Sequence, residues 1–121
     1  MASTHDLLRD SWRDERLRLQ RQIDDLQQRF DDIVAAAELT STDDEHDPEG
    51  ATIAYERAQV WALLQHARSE LAAIDDALAT VDAGDVPHCA ACHGPIATER
   101  LLALPGVRTC IECARRGWSA P

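Results

Sequence analysis

Apolar side chains recur every three or four positions from residue 3 to residue 39, in a stretch that contains no glycine or proline. Those spaced by seven form two series: Trp12, Leu19, Leu26 and Ile33, and then Ile23, Phe30 and Ala37 with Arg16 at the outer end. This spacing is typical of the a and d positions of a heptad repeat. The pattern therefore predicts one long helix, and Ser3 or Thr4 is suited to cap its first turn.

A second stretch with the same periodicity runs from Pro48 to Ala83. Asp47 is a good N-cap residue, Pro48 suits the first helical position, and Gly84 suits the C-cap. The apolar series of this stretch are Ile53, Val60, Ala67, Ile74 and Val81, and Leu64, Leu71 and Leu78. A second long helix is predicted here.

Two helices of similar length that are joined by a short polar segment bury their stripes by packing antiparallel. The sequence therefore predicts a mostly α fold, with a long antiparallel coiled-coil hairpin over residues 1–86. Its tip falls at residues 40–50, about 50 Å from its base by the helix rise. Because a two-helix hairpin leaves part of its apolar edge exposed, dimerisation through that edge is an alternative use of the stripes.

Four cysteines follow the second helix in the pattern C-x2-C-x17-C-x2-C, at Cys89, Cys92, Cys110 and Cys113. Each pair can turn both thiolates toward one ion, and two pairs complete a tetrahedral site. Thiolates favour zinc over magnesium or calcium, and four of them leave no position for a catalytic water. We expect one structural zinc ion per chain in a small C4 zinc finger over residues 87–121. Redox cysteines, an iron–sulfur centre, or a ligand exchange with His88 or His93 are the alternatives.

The chain carries 22 acidic residues against 12 arginines and no lysine, a formal net charge of −10. This balance argues against a broad surface for nucleic acid, because the phosphates would be repelled. The finger is locally basic, and its arginines form either a solubilising surface or a docking patch: Arg100, Arg108, Arg115 and Arg116. No apolar run reaches membrane-spanning length and no signal peptide opens the chain, so a cytoplasmic location is expected.

The segment between the two helices is densely acidic, since five of the seven residues from 43 to 49 are Asp or Glu. They are Asp43, Asp44, Glu45, Asp47 and Glu49. Charge runs are usually solvated turns, and the alternative is a functional tip. Catalysis by these carboxylates with a metal ion is not expected, because a two-helix tip offers no pocket and only the lone His46. The chain is therefore predicted not to be an enzyme.

A helical hairpin with an acidic tip and a four-cysteine finger resembles the DksA/TraR family of bacterial transcription factors. The finger sequence "CAACHGPIATERLLALPGVRTCIEC" is similar to the family's C-x-x-C-G-x-P-I, R-L and closing C-x-x-C segments. Here His93 lies between Cys92 and Gly94-Pro95-Ile96, while Arg100-Leu101 and Pro105 fall at the family's positions.

The tip carries a second, looser likeness to the family pattern D-P-x-D-x-A-T. The matching segment "DPEGAT" agrees at Asp47, Pro48, Ala51 and Thr52 but is one residue shorter. Glu49 or Gly50 stands near the place of the second Asp.

The resemblance implies a protein that binds bacterial RNA polymerase as a monomer, without sequence-specific DNA binding and without a membrane. In this family the hairpin enters the secondary channel of the polymerase, and its acidic tip approaches the active site. That role falls here on the five acidic residues of the tip, while the finger is structural. The alternative is a zinc-ribbon coiled-coil adaptor that binds another protein or a nucleic acid.

Overall fold

A computed structural model describes residues 2–39 and 48–118, with side chains described from residue 50 onward in the second range. The helices in chain order are α1 (Thr4–Leu39), α2 (Pro48–Asp82), α3 (Thr98–Ala103) and α4 (Ile111–Arg115). Both long helices follow the bounds that the apolar periodicity predicts, so the mostly α fold is confirmed. Across the described ranges, neither α1 nor α2 contains an apolar stretch that would let it cross a membrane.

Contacts divide the chain into two compact units, and residues 19–69 form the first, called here the hairpin unit. Its buried core consists of Leu26, Val60, Leu64 and Ala67, against which Ile23, Phe30 and Ile33 pack. The rings of Phe30 and Trp61 lie 5.4 Å apart between centroids. Arg68 donates a hydrogen bond of 2.8 Å to Gln27. Residues later in α1 contact residues earlier in α2, so the two helices run antiparallel. The predicted inward placement of Leu26 and Phe30 is confirmed.

The second unit, called here the finger unit, contains residues 1–18 and 70–121. Its helices contribute a buried apolar core that includes Leu8, Trp12, Ile74, Leu78 and Val81. Ile96, Leu101 and two of the four cysteines are buried in the same unit. Two ion pairs, Arg9–Asp82 at 2.9 Å and Arg16–Asp75 at 2.7 Å, again join α1 and α2 in antiparallel order. A division into domains at residue 86 remains a prediction.

The start of α1 and the end of α2 show the caps that the sequence predicts, while the predicted cap Asp47 lies outside the described residues. At the start of α1, the backbone N–H of Asp6 donates to the Ser3 hydroxyl at 3.1 Å. At the end of α2, Gly84 has φ +90° and its N–H donates to the carbonyl of Val81 at 3.0 Å, while Asp85 donates to Thr80 at 3.1 Å. This pair of bonds is a Schellman motif, in which glycine takes the left-handed conformation at little steric cost.

Candidate metal centre

The first cysteine pair lies in a tight turn that is closed by backbone hydrogen bonds. Cys89 donates to the carbonyl of Gly94 at 2.9 Å, and His93 donates to the carbonyl of Cys89 at 2.8 Å. The N–H of Gly94 points at the Cys92 sulfur at 3.4 Å. His93 has φ +62°, a left-handed conformation that histidine adopts more readily than most residues with a Cβ. The turn therefore holds Cys89 and Cys92 on one side of the chain.

The second pair is held by the short helix α4. Cys110 is the N-cap residue of α4, and its carbonyl accepts a hydrogen bond of 3.0 Å from Ala114. Cys113 lies within the helix, one turn further along. The helix stops at a second Schellman motif, in which Gly117 has φ +79° and Trp118 donates to the carbonyl of Cys113 at 3.2 Å.

Between the pairs, α3 and a turn bring the two knuckles together. Pro105 and Gly106 occupy the middle of a turn that the N–H of Val107 closes on Leu104 at 3.0 Å, and Gly106 has φ +80°. Proline followed by a left-handed glycine is the signature of a type II turn. A backbone bond of 2.8 Å from Ala90 to the carbonyl of Arg108 then joins the first knuckle to the chain that enters the second.

This arrangement gathers the four sulfur atoms of Cys89, Cys92, Cys110 and Cys113 within 4.8 Å of one another. The sulfurs of Cys92 and Cys110 are 3.8 Å apart, which is far longer than a disulfide bond. A tetrahedron with Zn–S bonds of about 2.3 Å has edges of about 3.8 Å. The donor set and its spacing therefore fit one zinc ion, and the predicted zinc cofactor is confirmed. Neither His88 nor His93 belongs to this group of described residues.

Among the thiols of this cluster, proton affinity is uneven. The pKa of Cys89 falls to about 6 because backbone N–H groups of Cys92 and Cys110 donate to its sulfur. The pKa of Cys113 rises to about 12, first through its hydrogen bond with Cys110 and then through burial. A cluster that retains protons on some of its sulfurs must release them when a metal ion binds.

The zinc cluster is joined to the hairpin base by a hydrogen bond that the sequence analysis did not anticipate. The indole Nε1 of Trp12, a fully buried side chain, donates to the backbone carbonyl of Leu101 at 3.1 Å. Leu101 is itself buried and belongs to α3. A tryptophan at a heptad position was the one available signal, because a buried indole usually finds an acceptor.

The four candidate docking arginines differ in what they contact. Arg100 is half-buried and donates through Nε to the carbonyl of Thr109 at 2.8 Å and through Nη2 to the Thr109 hydroxyl at 3.4 Å. Arg115 forms an exposed ion pair with Glu112 at 3.3 Å. Arg108 and Arg116 are exposed.

The predicted tip residues Asp43, Asp44, Glu45 and Asp47 lie outside the described residues. Glu49 belongs to the first turn of α2, and its side chain lies outside the description. Their role at the tip therefore stays a prediction.

A helical hairpin whose base shares a core with a C-terminal four-cysteine finger defines a class of zinc-binding protein. Residues 84–116 match the family model of the prokaryotic DksA/TraR C4-type zinc finger. The chain also resembles the solved structure of transcription factor DksA2 from Pseudomonas aeruginosa, with a TM-score of 0.74 and 27% identity over 94% of this chain and 82% of that one. A search of curated proteins gave no match. Residues 84–116 therefore carry a DksA/TraR C4-type zinc finger, as the motifs predict.

Proposed function

We propose that this chain is a regulator of transcription that acts by binding bacterial RNA polymerase in the cytoplasm, without catalysing a reaction itself. The likeness to the transcription factor DksA2 over 94% of the chain carries this proposal. The family model that matches residues 84–116 supports it from the finger sequence alone.

The proposed mode of action places the hairpin in the secondary channel of the polymerase. A pair of packed helices is narrow enough to enter a channel that excludes a globular domain. The net charge of −10 favours a basic channel that admits nucleotides. The tip carboxylates would then approach the catalytic magnesium ion, and these are Asp43, Asp44, Glu45, Asp47 and Glu49.

The role proposed for the finger is structural. Cys89, Cys92, Cys110 and Cys113 would be the four ligands, and the zinc ion supplies bonds that fix the two knuckles and complete a closed coordination shell. Through the bond from Trp12 to Leu101, the fixed finger holds the base of α1. Loss of zinc would therefore weaken the part of the hairpin that lies in the finger unit.

Direct binding to purified core RNA polymerase tests the proposal. We expect the zinc-loaded chain to bind immobilised polymerase and Cys110→Ser to bind more weakly, because its finger no longer folds. Binding should survive nuclease treatment, which removes any bridging nucleic acid. If the zinc-loaded chain does not bind polymerase but binds another protein or a nucleic acid, that result would instead indicate the adaptor function.

A further inference from the structure

The finger exposes a groove between α3 and the start of α4 that is mainly apolar. Leu104 and Ile111 line it and are 49% and 46% exposed. Ile96 lies beneath them and is buried. Cys92 and Cys110 line the same groove, so it borders the metal cluster. We call this feature the finger groove.

A single exposed leucine is ordinary in a folded protein, and Leu7 is 50% exposed elsewhere in the same unit. The finger groove differs because two large apolar side chains share one concave surface. Contiguous apolar surface of this kind marks interaction sites more often than scattered side chains do.

The charges around the finger groove select the kind of partner. Glu99 and Glu112 line it and are exposed, and Arg115 offsets the charge of Glu112. Arg100 also lines the groove, but its guanidinium donates to Thr109 inside the finger. These charges balance overall, but among the described residues Glu99 is the carboxylate at the groove that forms no ion pair, so it can attract a cation from a partner.

We propose that the finger groove docks a segment of a protein partner that presents an apolar side chain beside an arginine or lysine. The apolar side chain would pack on Leu104 and Ile111, and the cation would lie near Glu99. Since this rests on the proposed function, the partner surface belongs to RNA polymerase. The finger then docks through its apolar groove rather than through its arginines.

Docking in the finger groove has a consequence for the metal cluster. The side chain of Cys92 is exposed, whereas Cys89 and Cys113 are buried. A segment that fills the groove covers the exposed side of the cluster, so a chelator reaches the zinc ion less easily. If zinc leaves only from the free chain, polymerase at ten times its Kd should slow zinc extraction about tenfold.

The test compares Leu104→Ala, Ile111→Ala and the double variant with Leu7→Ala, which truncates an equally exposed leucine outside the groove. For each variant we measure the affinity for core polymerase and the rate at which a chromogenic chelator extracts zinc, with and without polymerase. We expect the double variant to bind about tenfold or more weakly and to lose protection by polymerase. Leu7→Ala should behave as wild type. Zinc content and helical signal are measured first for every variant.

Charge variants distinguish docking in the finger groove from docking through the exposed arginines of the finger. Glu99→Lys should weaken binding several-fold at low salt, and this loss should shrink as salt rises. The pair Arg108→Ala and Arg116→Ala should leave affinity within about twofold of wild type, because neither residue lines the groove.

The outcomes distinguish the two proposals. A wild-type chain that does not bind polymerase overturns the proposed function and this inference with it. If the double variant and Glu99→Lys both bind polymerase as tightly as wild type, the groove proposal is overturned and the proposed function stands. The groove proposal is also overturned if the arginine pair loses binding and Glu99→Lys keeps it. That result would favour docking through Arg108 and Arg116. If the double variant loses zinc, Glu99→Lys alone decides.

Discussion

The bond between Trp12 and Leu101 offers a sharp test of how the finger and the hairpin base stabilise each other. Trp12→Phe keeps an apolar ring but removes the indole N–H that donates at 3.1 Å to the Leu101 carbonyl. The side chain is 0% exposed, so neither the lost hydrogen bond nor the lost volume is replaced by water.

The expected effect follows from two terms. Leaving a buried acceptor without its donor costs about 1–3 kcal/mol. The smaller ring leaves a gap that costs about 1 kcal/mol more. The free energy of unfolding should therefore fall by about 2–4 kcal/mol, which is a large share of the stability of a small domain.

Trp61→Phe is the matched control, because it makes the same substitution at a side chain that is 47% exposed. It keeps an aromatic ring opposite Phe30, so its effect should stay within about 1 kcal/mol. Urea unfolding followed by circular dichroism at saturating zinc measures both variants. Chelator competition should also show weaker zinc retention in Trp12→Phe alone. Equal destabilisation by the two substitutions would refute the reasoning.

Three further predictions concern the metal, a turn and the tip. Cys110→Ser should lose zinc and unfold residues 88–113 while the hairpin stays largely helical; elemental analysis and circular dichroism check this. Gly106→Ala should lower the stability of the protein more than Gly84→Ala, although both glycines have positive φ. A Cβ at Gly106 would lie 3.1 Å from the Ala73 Cβ, whereas a Cβ at Gly84 would meet nothing within 4 Å. Thermal unfolding should separate them by about 1 kcal/mol or more. Replacing Asp43, Asp44, Glu45 and Asp47 with Asn or Gln should preserve helix content and polymerase binding yet abolish any effect on transcription initiation in vitro; full regulation by this variant would show that the acidic run is only a solvated turn.

The long helices could be predicted because their periodicity extends over many turns. Each seven-residue step adds an apolar position on the same stripe, and only a helix aligns them. The zinc cluster could be predicted from spacing alone, because thiolate pairs have few other uses in such a pattern. Helices α3 and α4 are six and five residues long, too short for a periodic signal, and the sequence analysis did not predict them.

Contacts between distant positions could not be predicted from local pattern. Trp12 and Leu101 are 89 positions apart, and the sequence around either residue gives no indication that the two are in contact. Arg100 counted as a docking candidate because of its charge. Its actual acceptor, Thr109, is set by how the turn at Pro105 and Gly106 reverses the chain. Charge can be read from sequence, but the direction of a guanidinium depends on the folded loop.

The finger groove and the zinc site have a common physical origin. A finger of this size cannot bury enough apolar surface to fold by itself, and metal bonds supply the missing free energy. Leu101 is buried in the finger unit, whereas Leu104, three residues later, remains half-exposed. Because zinc binding stabilises the finger, the finger can fold without burying every large side chain, and Leu104 and Ile111 remain half-exposed. The same reasoning predicts that removing zinc abolishes the proposed docking, since Cys92 and Cys110 line the groove and the metal ion would hold the two knuckles together.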